Sequence, residues 1–301
     1  MSVAIGLVGC GRWGRLILRD LVSLGAVVHV AVRDLADRDD LVALGAASVV
    51  LGAEALPDVD GVVVATPTSM HAESIESVAP RGVPIFVEKP LTADPVTARS
   101  LAARMPDRLF VMDKWRYHPG VYVLRDLVAG GRLGEVVEIR TVRVQDGMPH
   151  TDVDCAWILL PHDLAIALEV MGSYPSPVAA VGRTVDGVLQ HVEAELAFDA
   201  GQAMHVRLGI DAAESERRIT VVGTEATAVL AGGWEEVVSL ESFDAGTRED
   251  IPAEGELPLL AELRAFVDHL AGGPPPLTSA VDAARSVEIV AAVRDFAGAD
   301  A

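Results

Sequence analysis

Val3-Ala4-Ile5-Gly6-Leu7-Val8 runs straight into Gly9-Cys10-Gly11-Arg12-Trp13-Gly14, and this stretch decides the fold. The apolar run reads as a short strand, and residues 15–24 beyond the glycines carry helical periodicity. The glycines at the junction form a G-x-G-x-x-G, in which each has a physical task. Gly9 permits a tight turn, Gly11 removes a side chain where a pyrophosphate must approach the backbone, and Gly14 lets the helix pack against the strand. The start of the helix offers unpaired N–H groups and a partial positive charge to the phosphates. Arg12 and Trp13 occupy the bend, placed to flank a cofactor.

Such a glycine pattern is weak evidence alone. Here a second strand follows the helix and ends in an acid, Val30-Ala31-Val32-Arg33-Asp34, which is the context that makes the pattern a dinucleotide fingerprint. A carboxylate at Asp34 accepts hydrogen bonds from the ribose hydroxyls and repels a 2′-phosphate, so the expected cofactor is NAD. Arg33 beside it and Arg38 further on leave NADP as the alternative.

Outward from this point the strand-then-helix rhythm continues. Strands are expected at 27–32, 48–51, 61–65, 84–87 and 109–112, with helices from 41, at 70–79 and at 95–105. Gly61-Val62-Val63-Val64-Ala65 is β-branched enough for a strand buried on both faces. Buried strands alternating with helices imply a doubly wound, mostly parallel sheet of the Rossmann type over residues 1–118. From 119 the pattern changes. After one amphipathic helix at 121–129, segments at 135–144, 179–184, 188–198, 203–210, 217–222 and 226–230 mostly alternate apolar and polar residues, as antiparallel strands with one covered face do. A helix is expected at 162–170, and two more at 258–270 and 279–296. Residues 119–301 are therefore expected to form an α+β domain on a large, mainly antiparallel open sheet, with the last helix returning to pack on the first domain.

The 301 residues suffice for two domains. Half are hydrophobic and only 4% are aromatic, which favours layers packed from Ala, Val and Leu over an aromatic binding platform. A formal net charge of −20 repels nucleic acid and anionic membranes, so neither is an expected partner. No apolar run approaches the roughly 20 residues of a membrane span. Leu7-Val8-Gly9-Cys10 imitates a lipoprotein cleavage box, but no basic segment precedes it and the apolar stretch is short. The two cysteines, Cys10 and Cys155, lie in unrelated segments, which fits free thiols and a cytoplasmic location.

Three further motifs fall at expected strand ends or in the second domain. They are Ala65-Thr66-Pro67-Thr68-Ser69-Met70-His71, then Glu88-Lys89-Pro90 directly after a strand, and Trp157-Ile158-Leu159-Leu160-Pro161-His162-Asp163. Ligands bind at strand ends in open α/β sheets. Thr66, Pro67, His71 and Glu88 are therefore expected at the cofactor.

With Trp115-Arg116-Tyr117-His118-Pro119 and residues 152–163, these motifs resemble the Gfo/Idh/MocA family of oxidoreductases along essentially the whole chain. The resemblance implies that Lys89 is the catalytic lysine near the nicotinamide, and that His162 is the family histidine acting as general acid/base or binding substrate. The chemistry suits both. An ammonium stabilises the alkoxide that develops as a secondary alcohol is oxidised, and an imidazole exchanges protons near neutral pH. The chain departs from the family at Ile158, four residues before the histidine, where many members carry an aspartate. Either Asp163, Asp154 or a substrate group then orients the imidazole, or His162 mainly hydrogen-bonds substrate while Lys89 carries the proton. The departure is more compatible with enzymes of sugars or nucleotide sugars than with simple inositol oxidation.

Arg116, Tyr117, His118, Arg143, His150, Asp152, Asp154 and Asp163 are further candidates for polar contacts with substrate, and no metal is expected. The resemblance implies hydride transfer between NAD or NADP and a secondary alcohol or ketone of a carbohydrate-like small molecule. A redox-neutral lyase or epimerase with tightly held NAD, and a non-enzymatic dinucleotide sensor, are the alternatives. It also implies a homo-oligomer, dimer or tetramer, paired through the open face of the second sheet.

Overall fold

The structure is a computed structural model and describes residues 2–147, 152–232, 237–244 and 246–299. The chain divides into two compact units, Met1–Lys114 with Leu259–Val287, and Trp115–Pro258 with Glu288–Ala301.

The first unit carries six parallel strands, β1 (Ala4–Val8), β2 (Val27–Val32), β3 (Ser48–Leu51), β4 (Gly61–Val64), β5 (Ile85–Glu88) and β6 (Leu109–Met112). Their order is β3-β2-β1-β4-β5-β6. Every residue of β4 and β6 is buried, which accounts for their unbroken apolar sequences. The chain winds outward from β1 in one direction and from β4 in the other, so the strand order reverses between them and opens a crevice at their carboxyl ends. Helices α1 (Arg12–Ser23), α2 (Arg38–Ala43), α3 (His71–Val78) and α4 (Pro95–Arg104) make the crossovers. Pro95 starts α4 because its missing N–H is one that a helix start leaves unpaired anyway, and the Asp94 carboxylate caps the next two. Helix α7 (Pro258–Leu270) joins this unit: Leu263 and Phe266 enter the core of Ile5, Leu7, Val63 and Phe86, with Phe266 stacked on Phe86 at 5.0 Å.

The second unit opens with α5 (Pro119–Ala129), capped by His118, whose Nδ1 accepts from the Gly120 N–H at 3.1 Å. Its sheet has eight strands: β7 (Val136–Asp146), β8 (Ser176–Val185), β9 (Val188–Ala197), β10 (Ala203–Gly209), β11 (Asp211–Gly223), β12 (Ala226–Ala231), β13 (Val237–Ser242) and β14 (Arg248–Pro252). The order is β14-β13-β12-β11-β7-β10-β9-β8, antiparallel except for β7 beside β10. Helix α6 (Cys155–Met171) packs on β7, β9 and β10. The opposite face is solvated, with Arg140, Glu193, Glu195, His205 and Arg207 exposed on it. Helix α8 (Ala280–Phe296) closes the chain, its first half with the first unit and its second half with this one.

Two readings need correction. Helix α6 begins at Cys155, not at 162, because Asp154 is its true cap: the carboxylate accepts from the N–H groups of Ala156 and Trp157 at 3.1 and 3.3 Å. Pro161, just before the expected start at His162, lies inside the helix. Strands β13 and β14 were not foreseen: β14 is a charged edge strand, and β13 buries only Val238 and Leu240.

Candidate active site

The turn between β1 and α1 behaves as its glycines require. Gly9 has φ +87°, and a Cβ there would meet the Ala65 carbonyl oxygen at 2.8 Å. A Cβ on Gly14 would lie 2.6 Å from the Gly9 oxygen, so the helix packs on its own turn. At Gly11 a Cβ would meet nothing within 4 Å, which leaves open space beside the backbone. Gly11 is also the cap of α1. Among the described residues no side chain bonds the first N–H groups, and no acid lies in the first turn. Helices α4 and α6 satisfy the same groups with Asp94 and Asp154. An uncapped helix start facing open space fits a pyrophosphate, which would bring its own oxygens to those donors.

Arg12 is exposed at the bend. Trp13 turns the other way: its indole N–H donates to the Glu88 carboxylate, and the Lys114 ammonium sits over its ring at 4.6 Å. Beyond the end of β2, Arg33 and Asp34 are both exposed. Arg33 reaches the Met70 sulfur at 3.7 Å, and Asp34 accepts from the Ala36 N–H at 3.0 Å. The free Asp34 oxygen and the Arg33 fork are thus both at hand for the ribose end of a dinucleotide. The thiol of Cys10, inside the turn, is pushed up to about 11 by burial, and that of Cys155 to about 12, so both stay protonated and unreactive.

The loop after β4 and the loop after β5 are joined through His71. Its ring is buried, with Nδ1 2.7 Å from the Pro90 oxygen and Nε2 3.0 Å from the Thr66 oxygen. Thr66 holds Ser74 through its hydroxyl at 3.1 Å, and Pro67 is exposed. The structure therefore makes His71 a brace between two loops. Glu88 ends β5 and accepts from the Lys89 N–H at 3.1 Å as well as from Trp13. Burial raises the Glu88 carboxyl above its ordinary value, and the nearby Lys89 and Lys114 ammoniums together with the Trp13 bond pull it back. The Lys89–Pro90 peptide is cis.

Three residues of this cluster escaped the sequence reading: Asp113, Lys114 and Glu262. Glu262, on α7, is 1% exposed and sits against Asp113, whose backbone N–H it accepts, and near Glu88 and Lys114. Burial first, then the Glu88 and Asp113 charges, push its carboxyl well up, with Lys114 opposing. A signal existed for the first two. An acid and a lysine adjoin the end of β6 as Asp113-Lys114, much as Glu88-Lys89 closes β5.

In the second unit His162 lies within α6, partly exposed, with the Trp115 ring 6.5 Å away. Trp115 stacks on His118 at 4.8 Å and carries the Arg143 guanidinium over its face at 4.6 Å. Ile158, one turn before His162, is buried and brings no charge to that face. The remaining candidates are engaged elsewhere. Asp163 is wholly buried and accepts from Arg143 at 3.3 Å; Asp154 caps α6 and accepts from Arg294 at 2.7 Å. Arg116 donates to Glu169 at 3.3 Å, and Glu169 also takes Arg125 at 2.7 Å. Tyr117 is buried and Asp152 exposed; His150 lies outside the described residues.

Glycine turn, lysine loop and two-unit chain together define a nicotinamide-dependent oxidoreductase. Residues 3–109 match the family profile described as oxidoreductase family, NAD-binding Rossmann fold, and residues 121–229 match the GFO/IDH/MocA C-terminal domain. The chain belongs to the Gfo/Idh/MocA family. An inositol 2-dehydrogenase of Rhizobium meliloti is 26% identical over 283 residues, 87% of this chain and 79% of the relative. Among solved structures, the UDP-N-acetylglucosamine 3-dehydrogenase GnnA of Acidithiobacillus ferrooxidans superimposes with TM-score 0.85 at 23% identity over 98% of both chains. Levoglucosan dehydrogenase in complex with NADH and levoglucosan does so with TM-score 0.88 at 18% identity, over 99% of this chain and 98% of that one.

Proposed function

We propose that this oxidoreductase interconverts a secondary alcohol and a ketone on a sugar, nucleotide sugar or polyol, with Lys89 and His162 managing the proton. The supporting observation is the placement of Lys89. It follows β5 at the carboxyl end of the parallel sheet, beside a carboxylate that is itself tied to the dinucleotide turn through Trp13. The named relatives act on inositol and on the amino sugar of a UDP conjugate, which supports a polyhydroxylated substrate.

When bound, the nicotinamide supplies the two-electron acceptor or donor for the carbinol carbon. The Lys89 ammonium stabilises negative charge on the substrate oxygen, and in the direction of reduction donates its proton there. Glu88 holds the backbone of that lysine through its N–H and sets a carboxylate near the ammonium. His162 hydrogen-bonds the substrate hydroxyl and exchanges its proton with solvent. Position 158 brings no carboxylate to the imidazole, whose aromatic neighbour is the Trp115 ring at 6.5 Å. Asp34 supports NAD as the working cofactor, with Arg33 leaving room for NADP.

The test is reduced-nicotinamide absorbance during turnover of a panel of polyols, sugars and nucleotide sugars. Net absorbance change is expected with at least one of them, and Lys89→Ala is expected to lower kcat by about 10²–10⁴-fold with NAD affinity retained. Turnover without net absorbance change would move the protein to redox-neutral chemistry.

The two buried free thiols support work in the reducing cytoplasm. The solvated sheet face supports self-association, since Arg140 pairs with Glu138, His205 with Glu138 at 3.4 Å and Arg207 with Glu193 at 3.9 Å, a mixed-charge surface able to meet its own copy. Multi-angle light scattering at micromolar concentration should give a dimer or tetramer; a monomer sinks this reading.

A further inference from the structure

Arg143 on β7 and Arg217 on β11 are directly opposite each other in the register of the second sheet. Both point to the helix-covered face: Arg143 is 4% exposed, and Arg217 shares its face with the buried Ile219 and Val221. Facing side chains in such a pair stand about 4.5–5.5 Å apart at Cβ, where like charges repel. The one acid set against them is Asp163 of α6, at 0% exposure. It takes Arg143 Nη2 at 3.3 Å, and no other described acid reaches either guanidinium at ion-pair distance. Among the described residues two permanent cations therefore share one carboxylate, which leaves a surplus of one positive charge among them on this face.

The donors are not used up. Arg143 Nε is buried and makes no hydrogen bond among the described residues. Arg217, which is partly exposed and so reachable from solvent, makes no side-chain hydrogen bond or ion pair among them. Burial and the Arg143 charge both disfavour the charged form of Arg217. A buried donor left unpaired is costly, more so when charged. An arginine in turn does not relieve itself by giving up its proton.

We propose that Arg143 and Arg217 form a recognition site for a carboxylate carried by the substrate, so that the protein acts on a sugar acid rather than on a neutral polyol. The site rests on the functional reading in one respect, that His162 meets the substrate. Trp115 links the two, with its ring 6.5 Å from His162 and 4.6 Å from the Arg143 guanidinium. The charge count selects the ligand class: a surplus of one is neutralised by a carboxylate, whereas a phosphate monoester would leave an excess negative charge on a buried face. Geometry agrees, because a planar guanidinium fork matches a planar carboxylate with two parallel hydrogen bonds.

The experiment is calorimetric titration of the NAD-loaded, full-length protein with D-gluconate and D-glucuronate, against D-glucitol, which lacks the carboxylate, and glucitol 6-phosphate. At least one sugar acid is expected to bind tenfold or more tighter than glucitol and tighter than the phosphate. Arg217→Gln should bring acid and neutral polyol within about twofold, and Arg217→Lys should keep part of the preference. Thermal unfolding of Arg217→Gln guards against a folding artefact, because a structural arginine would lower the midpoint and this one should not. Equal or undetectable binding of acids and glucitol overturns the proposal, as does an unchanged preference in Arg217→Gln, and preference for the phosphate overturns the carboxylate assignment. Reduced-nicotinamide absorbance, read separately, keeps the two ideas apart. Neutral polyols oxidised without acid binding leave the oxidoreductase reading standing alone, and Arg217-dependent acid binding without turnover leaves the site standing alone.

Discussion

In the parallel-sheet unit, Glu88, Asp113 and Glu262 gather around Lys89 and Lys114, so acids outnumber bases. In the antiparallel unit, Arg143 and Arg217 gather around Asp163, and bases outnumber acids. The two imbalances are not mirror images. A carboxyl group that is buried, and crowded by its own kind as well, is driven toward its neutral form, and both causes, burial first, raise Glu262. A guanidinium has no such exit in water. The acidic cluster can heal itself by protonation, whereas the basic one holds a single carboxylate among the described residues and, on the proposal above, takes its second from the substrate.

The largest effect that would test this contrast is expected at Asp163. Burial raises its carboxyl, and the pull of Arg143 only partly offsets that, so the pair is expensive to bury. Removing the acid alone is worse, because it leaves two guanidiniums without a counter-charge among the described residues. Asp163→Asn should cost about 3–5 kcal/mol, which for units of this size lowers the unfolding midpoint by roughly 10 °C. A midpoint within about a degree of wild type would show that the arginines never depended on it.

A smaller effect of opposite sign is expected at Glu262. Its folded-state proton affinity exceeds that of the unfolded chain, so its contribution is fullest below the ordinary carboxyl value of 4.5 and is lost as pH rises through the folded value. Glu262→Gln removes that loss. The variant should unfold a few degrees above wild type at neutral pH, and the gain should vanish below about pH 4.5. A gain independent of pH would refute the protonation account. The smallest effect is at Arg217, where relief of the cross-strand repulsion should raise stability in Arg217→Gln by about 0.2–1 kcal/mol in the absence of ligand.

Much of the scaffold was legible because local rules and tertiary placement agree there. The glycine turn, the alternation of buried strands with helices and the switch to half-covered strands after 119 all reflect short-range patterns. Where the reading failed, one local signal concealed another. The helix was expected only from His162, after Pro161, yet it runs through that proline because Asp154 caps the chain seven residues before it. The buried charges were hidden for a different reason: their partners are remote in sequence. Their positions nonetheless carried a trace. Glu262 stands beside Leu263 and three or four places from Leu259 and Phe266, on the stripe that α7 buries. Arg143 has the strand parity of Ile139 and Thr141, and Arg217 that of Ile219 and Val221. A charge in the inward phase of an apolar pattern is the mark that would have found Glu262 and Arg217, and that would have turned Arg143, already a candidate, inward.

Trp13 has a consequence of another kind. Its indole is pinned at one edge to the last residue of β5 and on its face by Lys114, while its backbone forms the first turn of α1. The residue cannot shift without dragging both the phosphate-facing turn and the lysine loop along with it. Mechanically, the mouth of the dinucleotide crevice and the platform beneath Lys89 are one part, riveted by a single ring.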